Sequence, residues 1–511
     1  MKKWFGLIAL SAVLAFFAFG TAMAAGPQKG GALRAAAGSD IKSLDPHKIG
    51  WQNHQVLSHI YEGLLAVDEG FKIIPGLAKE WSVSEDGKTY TFKLREGILF
   101  HNGDEMTSED ARASLERLKK SPQGPQYQVV SEITTPDKYT LKVVLTEPIA
   151  TFLLSLANPY TPAIMPKAEI ERQGDDVKNP IGTGPFQFVE WIPDRHIKMK
   201  RFDKYWGGEG EPTGAGGTKT PYLDEIIIRP MPETAATLAA LEAGDVDWAI
   251  VPGKEKARLE SNPKLTVVDT GPTFEFWNFW FSLSDKSPLQ DINLRQAIVH
   301  AVDKEEMLLA ANGGTGSVTN SPIPKSSAFW TEAHAAGPGQ DLEKAKEYLK
   351  KSDYKGQALV ITTYKGYASM DKPSVVLQAQ LKKIGIECEL QYLDWPALAE
   401  KFKNNDFDIL AYGYGAFPDP DQFYFGRLHK SVISTGWNNP KFNELVEKAR
   451  TELNFEKRKE LYGQAQTIIL EDAPLFTTFH EAYFYGYNKK VKGFKPWAAF
   501  FHRFWNVWIE E

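Results

Sequence analysis

Several side chains suited to binding a small molecule follow three apolar segments in the second half of the chain. They are Lys365, Tyr367, Trp395, Tyr414, Asp419 and Asp421. A lysine can neutralise an anionic ligand group, a carboxylate can hold a cationic one, and a flat aromatic ring can stack on ligand. This combination predicts one wall of a binding site.

The three apolar segments predict buried strands that deliver these side chains. ALVITTY runs into Lys365, IECELQYL runs into Asp394, and the apolar run 409–412 ends in glycines and a Pro-flanked acidic turn. Two helical patterns separate them: PSVVLQAQLKKIG, with Pro373 at a plausible first turn, and PALAEKFKNN. This alternation implies parallel strands, and in open α/β sheets ligands bind at the carboxyl ends of the strands.

Simpler structural roles are open for four of the candidates. Asp419 and Asp421 could cap backbone N–H groups within the PDPD turn instead of holding a cationic ligand. Trp395 could pack as a helix staple instead of a ligand platform. Lys365 could be an ordinary solvated lysine.

The aromatic run FEFWNFWF, residues 274–281, is too dense to lie wholly at the surface. We expect most of it to be buried core. Trp277 or Trp280 could instead face the predicted binding site, where a flat ring could stack on ligand.

Composition and length indicate a soluble, exported protein with two or three domains. The chain has 511 residues and a net charge of −6, which does not favour nucleic acid or anionic membrane as a partner. Residues 1–24 have the charged, apolar and small-residue regions of a signal peptide, with cleavage expected after Ala24. No cysteine lies near that site to accept a lipid, and we expect the single Cys388 to be a buried apolar group.

Motifs of catalysis and metal binding are mostly absent. The sequence has no GxSxG, HExxH, GxGxxG or CxxC, and its ten histidines are scattered. We therefore predict no catalytic residue, no metal site and no cofactor. A glycosidase with two distant acids stays an alternative, and a chelated metal could bind without protein ligands.

Local patterns outside the three-strand unit predict further elements. Trp81-Ser82-Val83 and TYTFKL flank Asp86-Gly87, a hairpin signal within what looks like a separate α+β unit that ends near Pro180. The segment SPLQDINLRQAIVHAVDKEEML predicts a polar turn that enters one long amphipathic helix.

Several segments resemble one family, the extracytoplasmic solute-binding proteins of peptide, nickel and opine type (family 5) that serve ABC importers. The segments are PGLAKEWSVSEDGKTYTFKLREGILFHNGDEMTSEDA, NPIGTGPFQFVEW with RFDKYWGG, TLAALEAGDVDWA, SPLQDINLRQAIVHAVDKEEML, and the run from DPDQFYFGRL to EDAPLF. The resemblance implies an α/β, periplasmic-binding-protein type II fold whose two lobes close on a ligand. The first lobe would combine residues 25–62, 181–282 and 490–511 with an extra α+β domain at 63–180, and the second would be 283–489.

The resemblance also assigns site residues. Dipeptide and oligopeptide binders pair the ligand's ammonium with an aspartate three residues before the DPD turn, where this chain has Ala416. Another acid, with Asp419 the nearest candidate, would then have to hold a peptide's ammonium. Lys365 and Tyr367 match an arginine and a tyrosine near the ligand carboxylate, allowing a one-residue gap, and Trp395 matches a tryptophan of the cleft.

These observations lead to a ranked set of functions. The first is a monomeric periplasmic receptor that delivers a peptide or peptide-like solute to an inner-membrane ABC permease. The same receptor could carry an opine, an oligosaccharide or a chelated metal instead. An exported enzyme acting on a cleft-bound oligomer and a periplasmic peptide chaperone are the remaining alternatives.

Overall fold

The computed structural model describes residues 26–48, 55–122, 124–158, 162–417, 419–432, 435–499 and 502–510. The signal-peptide prediction lies outside these residues. No helix within them is long and apolar enough to cross a membrane.

The strands of the described residues fall into one large sheet and three small ones. They are β1 (Ala32–Ala37), β2 (Leu65–Val67), β3 (Ile73–Pro75), β4 (Ala78–Val83), β5 (Thr89–Leu94), β6 (Val130–Asp137), β7 (Thr140–Leu145), β8 (Phe186–Ile192), β9 (His196–Arg201), β10 (Glu225–Pro230), β11 (Trp248–Val251), β12 (Leu265–Phe281), β13 (Gly316–Val318), β14 (Leu359–Tyr364), β15 (Cys388–Leu393), β16 (Ile409–Tyr414), β17 (Leu475–Asn488), β18 (Val491–Lys492) and β19 (Trp508–Ile509).

Helices cover the faces of the large sheet and fill the connections. They are α1 (Ser108–Lys120), α2 (Phe152–Ala157), α3 (Lys167–Gln173), α4 (Thr234–Ala243), α5 (Lys256–Glu260), α6 (Ile292–Ala301), α7 (Lys304–Asn312), α8 (Glu332–Ala335), α9 (Leu342–Lys351), α10 (Ala368–Lys382), α11 (Trp395–Asn404), α12 (Asp421–Leu428), α13 (Pro440–Thr451) and α14 (Phe455–Asp472), with short 3-10 turns at Gly124–Tyr127, Gly253–Glu255 and Pro288–Gln290.

The large sheet runs through the whole molecule in the order β15-β14-β16-β12-β17-β11-β1-β10-β9-β8, and β13 adds to β17. We call the part with β11, β1, β10, β9 and β8 the first lobe, and the part with β15, β14 and β16 the second lobe. β14 lies between β15 and β16 and is parallel to both, which confirms the topology predicted from the strand and helix patterns. In the first lobe β1 is parallel to β10 and β11.

Strands β12 and β17 connect the two lobes. They pair antiparallel from Leu265 opposite Asn488 to Trp280 opposite Leu475, with register shifts near Pro272 and Phe276. Phe274 of β12 packs in the hydrophobic core of the first lobe. Phe276, two residues later, packs in the hydrophobic core of the second lobe. The packing therefore changes from one core to the other within these two strands.

A four-stranded antiparallel sheet, in the order β4-β5-β7-β6, forms a smaller unit with α1 beside it. The hairpin between β4 and β5 turns at Gly87, whose φ is +70°, as the Asp-Gly signal predicts. The buried residues of this unit belong to the core of the first lobe.

Two helix predictions differ from the structure. The long helix predicted after residue 287 is two helices, α6 and α7, because Asp303 caps the second by accepting a hydrogen bond from the N–H of Glu306. Helix α10 begins at Ala368, so Pro373 lies inside it and not in its first turn. A proline there leaves an upstream helix carbonyl without its usual N–H partner.

Candidate functional site

The ends of β14, β15 and β16 lie side by side, as predicted. The backbone N–H of Lys365, just after β14, donates to the carbonyl oxygen of Leu393 at the end of β15, at 2.9 Å. Asp394 caps α11 by accepting from the N–H of Ala397 at 2.9 Å, which places Trp395 at the first helical position. Lys365 is exposed.

An aromatic row crosses the strand ends of the second lobe and consists of Trp277, Tyr367, Tyr364, Trp395 and Tyr412. Successive ring centroids in this row are 5.3, 6.2, 5.7 and 5.2 Å apart. Tyr367 and Trp395 are each 42% exposed. Large exposed rings held by neighbouring rings offer flat surfaces on which a ligand can stack.

Gly413 makes room for the first ring of the row. It lies opposite Trp277 in the pairing of β12 with β16, and a Cβ atom at Gly413 would be 1.9 Å from Cζ3 of the Trp277 indole. The indole therefore lies directly on the β16 backbone.

Trp280 and Tyr414 belong to the core. Trp280 is fully buried and its ring is 5.1 Å from that of Phe402. In a strand, residues three apart face opposite sides, so Trp277 and Trp280 cannot both reach the same cavity. The structure thus corrects the assignment of Trp280 to the ligand wall. Tyr414 is 8% exposed, and burial raises the pKa of its hydroxyl.

The acidic turn after β16 is tied to the helices of the second lobe. Both carboxylate oxygens of Asp419 contact the guanidinium of Arg458, and Asp421 lies 3.4 Å from Nε of Arg450. Asp419 also accepts from the backbone N–H of Asp421 at 2.8 Å. Asp419 is 2% exposed, so its charge is neutralised inside the lobe, which argues against the predicted role as the partner of a ligand ammonium.

Ala416 lies between the lobes. It is partly exposed and packs against the core of the first lobe, although the strand that it follows, β16, belongs to the second. A side chain at this position therefore faces the boundary between the lobes.

A cavity of about 730 Å³ opens between the two lobes. The first lobe contributes residues at the carboxyl ends of its parallel strands β1, β10 and β11, and the second contributes α7, the start of α10 and the middle of β17. The lining includes Ala37, Gly38, Met231, Val251 and Lys254 from the first lobe, and Asn312, Tyr367, Ser369, Lys372, Glu481 and Tyr483 from the second. This is where ligands bind in open α/β sheets.

The sequence reasoning missed two acids, Glu481, which lines the cavity, and Glu275, which lies beside it. Tyr483 places its hydroxyl beside both Glu275 and Glu481, and Ser369 donates a hydrogen bond to Glu481. Burial raises the pKa of Glu275 to about 7 and also raises that of Glu481. The available signal was a single acid inside each of two apolar runs, FEFWNFWF and LFTTFHEAYFYGY.

No group of three or more His, Cys, Asp or Glu side chains suited to a metal ion occurs in the described part of the chain. Cys388 is buried, and burial raises the pKa of its thiol to about 12. The cavity is lined by the ring of Tyr367, the carboxylate of Glu481 and the hydroxyl groups of Ser369 and Tyr483, a combination that suits reversible binding.

The sequence pattern of the bacterial extracellular solute-binding proteins, family 5 (middle region), matches residues 72–435. The chain belongs to this family. Its members are binding proteins that work outside the cytoplasm, and the match confirms the resemblance seen in the sequence and the type II fold.

Three similar proteins illustrate the family. The dipeptide-binding protein of Escherichia coli (strain K12) is 29% identical over 479 residues, 86% of each chain. The binding protein AgaA of A. tumefaciens R10, solved with agropinic acid, is 28% identical with a TM-score of 0.74 and covers 94% of this chain and 99% of its own. DppA from Helicobacter pylori, solved with the peptide STSA, is 26% identical with a TM-score of 0.75 and covers 95% and 99%.

Proposed function

We propose that the protein is the solute-binding receptor of an ABC importer and that it holds a peptide or peptide-like solute in the cavity between its lobes. The observation that carries this proposal is the cavity of about 730 Å³, because its first-lobe wall stands at the carboxyl ends of the parallel strands β1, β10 and β11 and its other wall includes Tyr367, which follows β14. Its size lies within the roughly 300–1,000 Å³ that is usual for small-molecule sites.

The solute class rests on the relatives and on the aromatic row. The dipeptide-binding protein and the peptide-bound DppA are similar over most of this chain, which favours a peptide. Tyr367 and Trp395 supply apolar surfaces of the kind that side chains of a peptide can contact.

A non-peptide solute is the second candidate, and Ala416 is the observation that favours it. The aspartate that the resemblance leads us to expect at this position is absent, so the ligand need not carry an ammonium there. AgaA, a relative of similar identity, was solved with agropinic acid.

Further features belong to the same proposal. The lobes would have the boundaries given by the resemblance, and the strands β12 and β17, with their register shifts, would act as the hinge on which they close. The mature protein would begin after Ala24, act in the periplasm as a monomer, contact an inner-membrane permease and release its solute chemically unchanged.

The test starts from protein purified from its native host and denatured under mild conditions. Mass spectrometry of the released solute should identify one compound or a narrow group, and that compound should bind the emptied protein and return intact. Recovery of a cleaved product would favour an enzyme, and weak binding of many unfolded chains would favour a chaperone. Small-angle scattering should show a smaller radius of gyration with the solute bound, and an unchanged radius would reject closure.

A further inference from the structure

Glu275 and Glu481 stand where β12 and β17 pass between the two cores. Glu275 lies between Phe274, which belongs to the core of the first lobe, and Phe276, which belongs to the core of the second. Glu481 lines the cavity and is 5% exposed. Glu481 therefore lies at the proposed solute site, and Glu275 lies beside it, in contact with the hydroxyl of Tyr483, which also lines the cavity.

The carboxylates of Glu275 and Glu481 have fewer hydrogen-bond donors around them than two ionised acids require. The hydroxyl oxygen of Tyr483 is 3.2 Å from Oε2 of Glu481 and within hydrogen-bond distance of Oε2 of Glu275. A phenol has one hydrogen and can donate it to only one carboxylate. The hydroxyl of Ser369 donates to the other oxygen, Oε1, of Glu481. With both acids ionised, one oxygen of Glu481 would face the lone pairs of Tyr483.

Neither acid has a cationic partner among the residues that the structure describes. No Lys, Arg or His nitrogen of these residues lies within 4.0 Å of either carboxylate, and no cation contributes to their raised pKa values. Lys254 and Lys372 line the same cavity without reaching the pair. Buried acids in proteins are normally paired, because an isolated buried charge is costly.

A second feature at the same wall is the indole of Trp277. Its ring is 8% exposed and lies 5.3 Å from the ring of Tyr367. The buried N–H moderates the rise in the pKa of the nearby Glu481, yet it makes no hydrogen bond of normal geometry with the described residues. The indole N–H can donate to an acceptor on a ligand, and the two rings favour a nearby positive charge.

We propose that Glu275 and Glu481 bind a cationic group of the solute, an ammonium or a guanidinium, and that they provide the negative charge which Ala416 does not. This inference rests on the proposed receptor function and names the class of its solute. A cation between the acids would donate to the free oxygen of Glu481 and remove the repulsion between the two carboxylates. A hydrogen-bond acceptor of the solute next to this cationic group would accept a hydrogen bond from the indole N–H of Trp277.

The proposal also predicts how binding responds to pH. The raised pKa of Glu275, about 7, means that the empty site holds a proton which a cation must displace. The affinity for the solute should therefore rise between about pH 6 and pH 8, with proton release. His480 beside Glu275 is neutral there because burial lowers its pKa to about 4, and the side chains of Lys254 and Lys372 line the same cavity.

The test compares Glu275→Gln and Glu481→Gln with Glu389→Gln, which removes one charge from an exposed position on β15 of the same lobe. Calorimetry uses the solute recovered from the native protein, then alanyl-phenylalanine and its N-acetylated form, in buffers of different ionisation enthalpy. Each of the two site variants should weaken binding of a cationic solute at least tenfold, and Glu275→Gln should also abolish the proton release. The control should change affinity less than twofold, and the melting temperature of the site variants should stay equal or rise.

Two results separate the inference from the receptor function. A recovered solute without a cationic group, or one that binds the Gln variants as well as the wild type, overturns the role of the acid pair and leaves the receptor function standing. If no solute is recovered and neither dipeptide form binds, the proposed receptor function itself fails.

Discussion

Arg458 contacts both carboxylate oxygens of Asp419, with Nη1 2.5 Å from Oδ2 and Nη2 2.6 Å from Oδ1. The two residues are 5% and 2% exposed. Arg458 also donates from Nε to the carbonyl oxygen of Ala449 at 2.9 Å. The turn after β16 is thereby fixed to α13 and α14, so this acid stabilises the second lobe and does not lie at the surface of the cavity.

Replacing Asp419 by Asn should therefore mainly lower the free energy of unfolding and not act directly on solute binding. Removing one partner of a buried bidentate ion pair leaves a buried charge, which typically costs about 3–5 kcal/mol. Asp406→Asn is a matched control, because Asp406 pairs with Lys401 at 2.9 Å and its side chain is 75% exposed. In urea unfolding, the control should lose less than about 1 kcal/mol of unfolding free energy. Stability equal to the wild type in Asp419→Asn, with binding lost, would return this acid to the ligand site.

Asp421 should respond to pH in the opposite sense to an ordinary ion-paired acid. Burial and the neighbouring Asp419 raise the pKa of Asp421 to about 6, above its unfolded value of 3.8. The folded state thus holds an extra proton between these values, and stability should fall as pH rises from about 4 to 6. The free energy of unfolding of the wild type should therefore fall by about 1–3 kcal/mol across this range, and Asp421→Asn should remove that decrease. An identical slope in the variant would contradict the raised pKa.

Local sequence patterns predicted much of the second lobe, but they could not predict which strands pair when the strands lie far apart in the sequence. Apolar runs bounded by Gly and Pro located β14, β15 and β16 and their parallel order. The sequence could not bring Glu275 next to Glu481, because β12 and β17 meet only in the folded sheet. For the same reason the strand register, which places Trp277 beside Tyr367 and Trp280 in the core, could not be read from the aromatic run.

Gly413→Ala should displace the Trp277 indole. The new Cβ atom would overlap Cζ3 of that ring at 1.9 Å, and the ring lies against backbone on one side and Tyr367 on the other. Overpacking of this kind costs about 1–3 kcal/mol and should also weaken solute binding. Gly415→Ala serves as the control, since a Cβ atom at Gly415 would have no neighbour within 4 Å. Equal melting curves and affinities for both variants would refute the close contact.

Trp395→Ala should weaken solute binding by about 1–3 kcal/mol, the usual loss for an aromatic contact at a binding site. The ring is 42% exposed in the empty protein, so the melting temperature without solute should barely change. Tyr392→Ala, at a 44% exposed aromatic residue of β15 outside the aromatic row, provides the comparison. Calorimetry and thermal melts decide the point. A large loss of stability with intact affinity would make Trp395 a structural residue of α11.

Ala416→Asp addresses the position where the resemblance leads us to expect an aspartate. Ala416 packs against the core of the first lobe, so an added carboxylate would enter the boundary between the lobes. If Glu275 and Glu481 hold the cationic group of the solute, the new acid has no partner and must be buried unpaired when the lobes close. Binding of the recovered solute should then fall about tenfold, a loss of about 1.4 kcal/mol. The control Ala416→Asn introduces a side chain of nearly the same shape as aspartate but without its charge. Its affinity for the recovered solute should stay within threefold of that of the wild type. Tighter binding of ordinary dipeptides by the Asp variant would instead place the ligand's ammonium next to residue 416 and count against the acid pair as its site.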